Sequence, residues 1–210
     1  MNLSTLTVAH VLWRTLKLFP SAVIVERTAH GGKRVTTYRE VAERALRLAN
    51  ALRQLGVKPG DRVATLMWNT VAHLELYLAV PVVGAICHTL NLRLSPDDLA
   101  YIANHGEDRF LVVDQSLVPV YEAFRDRVDF RRVVVVGDGG QLEGADSYQQ
   151  LLQAEPLDWG ELPQLDAETP AFLLHTSGTT GRPKGILYTH GQLALAALAI
   201  TSTVTFAVSG

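Results

Sequence analysis

Cysteine is nearly absent: Cys87 stands alone in 210 residues, so no internal disulfide can form and a reducing setting, the cytoplasm, is expected. Cys87 sits beside His88 but in no nucleophile motif, and it reads as a small buried apolar residue. A surplus of one charge is also lacking. Lys and Arg number 19 against 21 Asp and Glu, a net charge of −2, which offers no basic face to nucleic acid and no attraction to an anionic membrane. One uncharged, mainly apolar stretch has to be weighed as a membrane span. The best candidate, Leu193 to Val208, has sixteen residues and includes Thr201, Ser202, Thr203 and Thr205, whereas crossing takes ~20 apolar residues. It is expected to pack against the rest of a larger domain, and to promote aggregation if left uncovered. The N-terminus shows no basic cluster followed by an apolar run, so no signal peptide is expected. His10, His30, His73, His88 and His105 are scattered without metal-ligand spacing, and no zinc site is expected. There is neither a G-x-G-x-x-G dinucleotide turn nor a G-x-S-x-G nucleophile elbow.

What is present is ordinary globular composition, 48% hydrophobic and 19% charged, enough for one sizeable core. Val8, Leu12, Leu16 and Phe19 recur at helical spacing up to Pro20. Two strands, Ala22 to Arg27 and Lys33 to Thr36, flank a Gly31-Gly32 turn. Thr37 and Glu40 form a capping box for a helix burying Val41, Ala45, Leu48, Leu52 and Leu55; its Glu40, Glu43, Arg44, Arg47 and Arg53 are expected on a solvated face. Strand and helix then alternate. Strands are expected at 62–67, 86–89, 110–113 and 133–136, and helices at 71–83, from Ser95 to Gly106, and at 117–127. Apolar runs such as VVVV suit strands covered on both faces. The fold class is therefore α/β, a doubly wound and mainly parallel sheet flanked by helices. The glycine-rich stretch Gly137 to Gly144 carries acids and no cation, so it reads as a solvent turn, and residues 155–169 form an acidic connector.

The most informative stretch is Thr176 to Gly185, TSGTTGRPKG, with apolar strand-like residues on either side. Gly178 and Gly181 permit positive φ and let backbone amides approach a ligand. Thr176, Ser177, Thr179 and Thr180 add hydroxyl donors, and Lys184 adds a mobile positive charge. Converging amides, hydroxyls and an ammonium group suit a polyphosphate. The spacing differs from the common nucleotide loop: two residues separate the glycines, Arg182 and Pro183 precede Lys184, and Gly185 replaces a magnesium-binding hydroxyl. A polar turn of no function is the plainer alternative, but ordinary turns seldom combine so many donors with a lysine. His175 and His190 flank the stretch, and ligand contact is expected of neither. Ser177 is a phosphate donor rather than a nucleophile.

At these residues the sequence resembles the adenylate-forming superfamily: acyl-CoA synthetases, adenylation domains of peptide synthetases, and luciferases. Tyr188-Thr189-His190 fits as well. TYREVAERALRLANALRQLGVKPGDRVATLMWN from Thr37 and HTLNLRLSPDDLAYIANHGEDRFLVVD from His88 are similar to the medium- and long-chain fatty-acyl-CoA synthetase branch. The likeness runs from about Thr37 to Ala199 and fades over Thr201 to Gly210.

The resemblance implies a two-step reaction in which ATP and a carboxylate give an acyl adenylate and pyrophosphate, and coenzyme A then displaces AMP. Mg²⁺ would accompany the phosphates. Thr176, Ser177, Gly178, Thr179, Thr180, Gly181 and Lys184 are the implied nucleotide-binding residues, and Lys184 is the catalytic candidate. The family's adenine, acyl and ribose segments, its hinge and its C-terminal lysine lie downstream of the region matched. The expectation is thus that residues 1–210 form a truncated N-terminal part, inactive alone, whose partners are ATP, a fatty acid, coenzyme A and the missing remainder. Two alternatives stay open: a non-catalytic domain binding a nucleotide or partner, and another acyl-adenylate-forming ligase.

Overall fold

A computed structural model describes residues 6–28, 31–137, 142–176 and 182–208, with side chains considered outside 201–208. Helix α1 (Val8–Leu18) starts where the Thr7 hydroxyl accepts the His10 amide. Strands β1 (Val23–Arg27) and β2 (Lys33–Thr37) form a two-stranded antiparallel ribbon. Helix α2 (Tyr38–Gln54) opens on the expected capping box: the Thr37 amide donates to Glu40 Oε2 at 2.6 Å, and the Glu40 amide donates to Thr37 Oγ1 at 3.2 Å. Past its end Gly56 takes φ +92°, a left-handed turn only glycine enters freely.

Next come β3 (Arg62–Leu66), α3 (Val71–Val82), β4 (Ile86–Thr89), α4 (Pro96–His105), β5 (Phe110–Asp114), α5 (Val118–Glu122) and β6 (Arg132–Val136). They are followed by β7 (Asp146–Ser147), α6 (Tyr148–Leu151), β8 (Pro170–Thr176), β9 (Lys184–Thr189) and α7 (His190–Val208). The large sheet has the order β7-β6-β5-β3-β4-β8-β9. All neighbours are parallel except β8 and β9.

Successive strand residues point to opposite faces, so the sheet carries two cores. Val63, Cys87, Phe110 and Val112 pack under α2 and α3 with Leu48, Leu52 and Val80. Ala64, Leu66, Leu111 and Val113 pack on the other face with Leu99 and Ile102 of α4. Helices on both faces make the sheet doubly wound, as its apolar strands require. Each fully buried leucine is worth roughly 1.5–3 kcal/mol relative to exposure.

Two expectations need correction. The helix read over 117–127 is three pieces: a 3₁₀ turn at Gln115–Leu117, α5, and a 3₁₀ turn at Arg125–Arg127. Phe124 leaves helical geometry, with φ −132° and ψ 1°, and its ring is 1% exposed against Tyr121. The charged face of α2 is also not wholly solvated. Arg44 Nε lies 2.6 Å from the fully buried Glu75 carboxylate, which Tyr148 also contacts through its hydroxyl. Arg47 donates to the Ala154 carbonyl at 2.8 Å, tying the connector to α2.

Candidate active site

β8 runs parallel to β4 and ends at Thr176, so the stretch it leads into lies at the carboxyl end of the sheet. β9 returns antiparallel with Thr176 opposite Lys184 and His175 opposite Gly185. Directly opposed residues share a face, so the Thr176 hydroxyl and the Lys184 ammonium group start from the same side of the ladder, both exposed. Among the described residues no acid pairs with Lys184. Of the expected site residues, the structure thus brings together Thr176 and Lys184. Ser177, Gly178, Thr179, Thr180 and Gly181 lie outside the described residues, as do part of the Gly137–Gly144 turn and His30.

His175 faces the opposite side from Thr176, toward α4. There it meets two histidines that the sequence order gave no reason to group. His88 Nε2 lies 2.8 Å from His175 Nδ1, and His105 Nδ1 lies 3.2 Å from His175 Nε2. His88 Nδ1 in turn reaches Asp108 at 2.7 and 2.9 Å. Burial, then the neighbouring His88 and His105, lower His175 to about 4, so this ring is neutral near pH 7. The far arm is anchored to the same helix: the Arg182 guanidinium sits 4.9 Å from the centroid of Tyr101, one turn before His105 on α4. His190 turns inward instead, accepting the Val8 amide on Nδ1 at 3.1 Å with no surface exposed.

An open cleft of about 670 Å³ lies at the same end of the sheet, past the tips of β3, β5 and β6, lined in part by Thr70, Asp114, Ser116 and Gly137. β3 connects onward to β4 on one side and β5 to β6 on the other. A crevice between neighbouring strands whose connections diverge is where open α/β sheets hold ligands. Among the described residues no group of three or more His, Cys, Asp or Glu is placed to hold a metal ion. No helix among them is long and apolar enough to cross a membrane.

Known proteins share this arrangement. The family described as AMP-binding enzyme matches residues 12–209. A long-chain-fatty-acid–CoA ligase of Thermus thermophilus is 45% identical over 188 residues, 90% of this chain and 34% of the relative. A 3-methylmercaptopropionyl-CoA ligase of Ruegeria lacuscaerulensis is 40% identical over 166 residues, 76% of this chain and 31% of the relative. Among solved structures, an anthranilate CoA ligase in complex with anthranoyl-AMP superposes with a TM-score of 0.81 at 30% identity, over 91% of this chain and 36% of that one. The chain therefore spans about a third of the length of the relatives it matches.

Proposed function

The chain belongs to the AMP-binding enzyme family, and from that premise we propose that it is the N-terminal part of an ATP-dependent fatty-acyl-CoA synthetase, acting in the cytoplasm. The carrying observation is the pairing of Thr176 with Lys184 across the ladder at the carboxyl end of the sheet, with both side chains exposed. A hydroxyl and an ammonium group with no acid paired to it among the described residues, on one side of a strand end, are suited to the terminal phosphates of ATP. Ser177, Thr179 and Thr180, with the amides of Gly178 and Gly181, supply the remaining donors in this reading.

The chemical need is charge management. A carboxylate attacking the α-phosphorus meets a polyanion, and the departing pyrophosphate gathers charge as the bond breaks. Donors held on the β- and γ-phosphates stabilise that charge where it develops, and Lys184 screens it without a proton transfer. ATP enters as its magnesium complex, so the ion arrives with the substrate. It then needs few ligands from the protein. Coenzyme A then takes the acyl group from the adenylate at a site mostly beyond these residues.

Incompleteness is part of the proposal. The chain matches a third of its relatives, and β9 and α7 leave Ile186, Leu187, Leu195, Leu198 and Ile200 between 41% and 66% exposed. Such a surface is normally covered, and the remainder of the synthetase is the proposed cover. Mixing the isolated chain with ATP, Mg²⁺, coenzyme A and fatty acids of several lengths is expected to give no thioester. Sustained turnover would refute the incompleteness. The same exposed face favours one other reading, a domain that binds a partner without catalysis; under that reading ATP and pyrophosphate do not bind.

A further inference from the structure

A buried carboxylate is wired to the surface through three imidazoles. The order is Asp108, His88, His175, His105, with contacts of 2.7, 2.8 and 3.2 Å. The side chains of Asp108 and His88 have no exposure, whereas His105 is exposed. Every ring nitrogen in the series is engaged within it except His105 Nε2, at the solvent end. Room for the series is made by two glycines. A Cβ on Gly106 would stand 2.9 Å from His88 Nδ1, and one on Gly185 would stand 3.2 Å from His175 Nε2.

Two proton arrangements satisfy these contacts, and they differ by a single proton. In the first, each imidazole carries its proton on Nδ1 and donates inward, His105 to His175, His175 to His88, and His88 to the Asp108 carboxylate. In the second, a proton has entered at His105 Nε2. The Nδ1 proton of His105 has passed to His175 Nε2, and that of His175 has passed to His88 Nε2. The Asp108–His88 pair now holds the extra proton, and His175 has exchanged one neutral tautomer for the other. No intermediate charge stays on His175, in accord with the burial that keeps it neutral.

We propose that Asp108, His88, His175 and His105 form a proton relay that stores one exchangeable proton behind the paired ends of β8 and β9, and that when a polyphosphate binds beside Thr176 and Lys184 the relay gains that proton from solvent. The second half rests on the phosphate-binding reading above. Without the proton the relay places a net negative charge behind an anion site; with it the pair is neutral, so protonation and anion binding favour each other. Burial also raises the Asp108 carboxyl above the usual carboxylate range, although His88 and Arg62 oppose the shift. Among the described residues, Arg62, Cys87 and Arg182 are other titratable groups near the relay. Arg62 is paired with Glu107 at 3.5 Å, the Cys87 thiol is held neutral by burial, and Arg182 lies over Tyr101 beside His105.

The relay is tested on the full chain by ¹⁵N spectra of the histidine rings between about pH 8 and pH 5.5, spanning the ordinary imidazole range. His105→Gln and His175→Gln assign the signals. His175 is expected to change from the Nδ1–H to the Nε2–H tautomer while remaining singly protonated, in step with proton uptake by the Asp108–His88 pair. Rings that gain protons independently of one another, or a fixed His175 tautomer while the pair gains its proton, would overturn the relay. Calorimetric titration with pyrophosphate in buffers of different ionisation heat then counts protons. Wild type should take up about one proton more than Asp108→Asn, the ligand's own ionisation being common to both, so that the ratio of their affinities rises by up to tenfold per unit fall in pH. Binding by both proteins with equal proton counts would overturn the linkage and leave the phosphate site standing. Failure of wild type to bind pyrophosphate would remove both the phosphate site and the linkage, while the ring spectra still decide the relay. If Asp108→Asn does not fold, His88→Gln serves as the reference for the proton count.

Discussion

Gly106→Ala separates the packing of the histidine series from the generic behaviour of its backbone. Gly106 caps α4 with φ −74° and ψ −11°, ordinary right-handed geometry open to any residue. By backbone entropy alone, alanine there should stabilise the fold by about 0.4–1 kcal/mol. The new Cβ, however, would lie 2.9 Å from His88 Nδ1, 3.0 Å from its Cε1 and 3.1 Å from the Ile102 carbonyl oxygen. His88 cannot retreat freely, because Asp108 holds one ring nitrogen and His175 the other. Overpacking costs about 1–3 kcal/mol, and shifting His88 away from a buried carboxylate costs about 1–3 kcal/mol more. The contact outweighs the entropy, giving a net loss of roughly 1–6 kcal/mol. Urea unfolding followed by circular dichroism should show a lower midpoint at unchanged slope. In a His88→Ala background the struck ring is gone, and the same substitution should cost little or even stabilise. A higher midpoint for Gly106→Ala alone, or an equal cost in both backgrounds, would refute the reasoning.

Two further perturbations probe other buried titratable groups. Arg44→Met strands the Glu75 carboxylate, whose side chain has no exposure, and should cost about 3 kcal/mol in urea unfolding; adding Glu75→Gln should return most of it, and a single-variant loss below about 1 kcal/mol would contradict the pairing. Burial lowers His190 and His73 to about 4. Both are neutral in the fold and gain protons more readily once unfolded, so their contribution is present above about pH 6.5 and is lost as pH falls toward 4, at up to about 1.4 kcal/mol per pH unit for each. His190→Asn, which keeps an acceptor for the Val8 amide, should flatten the curve of unfolding free energy against pH. An identical curve for the variant would show that His190 does not carry the effect.

Local rules were the legible part of this fold. Thr37 and Glu40 announced α2, and Ser95, Pro96 and Asp98 announced α4, because capping is settled within four residues of sequence. The alternation of apolar strands with helices gave the doubly wound sheet for the same reason. From sequence alone Arg44 belongs to a solvated face, because its partners, Glu75 and Tyr148, come from α3 and α6 and meet only in the packed core. His88, His105 and His175 looked scattered for a similar cause. It is the parallel pairing of β4 with β8, registering His88 against Leu173, that brings the first near the third. Gly185, in the ladder opposite His175, leaves room for that ring.

The most direct test of the central claim is a titration of MgATP or pyrophosphate into wild type and Lys184→Ala. Wild type should bind, and loss of one charge-assisted contact should weaken binding by roughly 10- to 100-fold. Equal affinity in the two proteins, or no binding by wild type, would contradict a phosphate-gripping role for the Thr176–Lys184 turn.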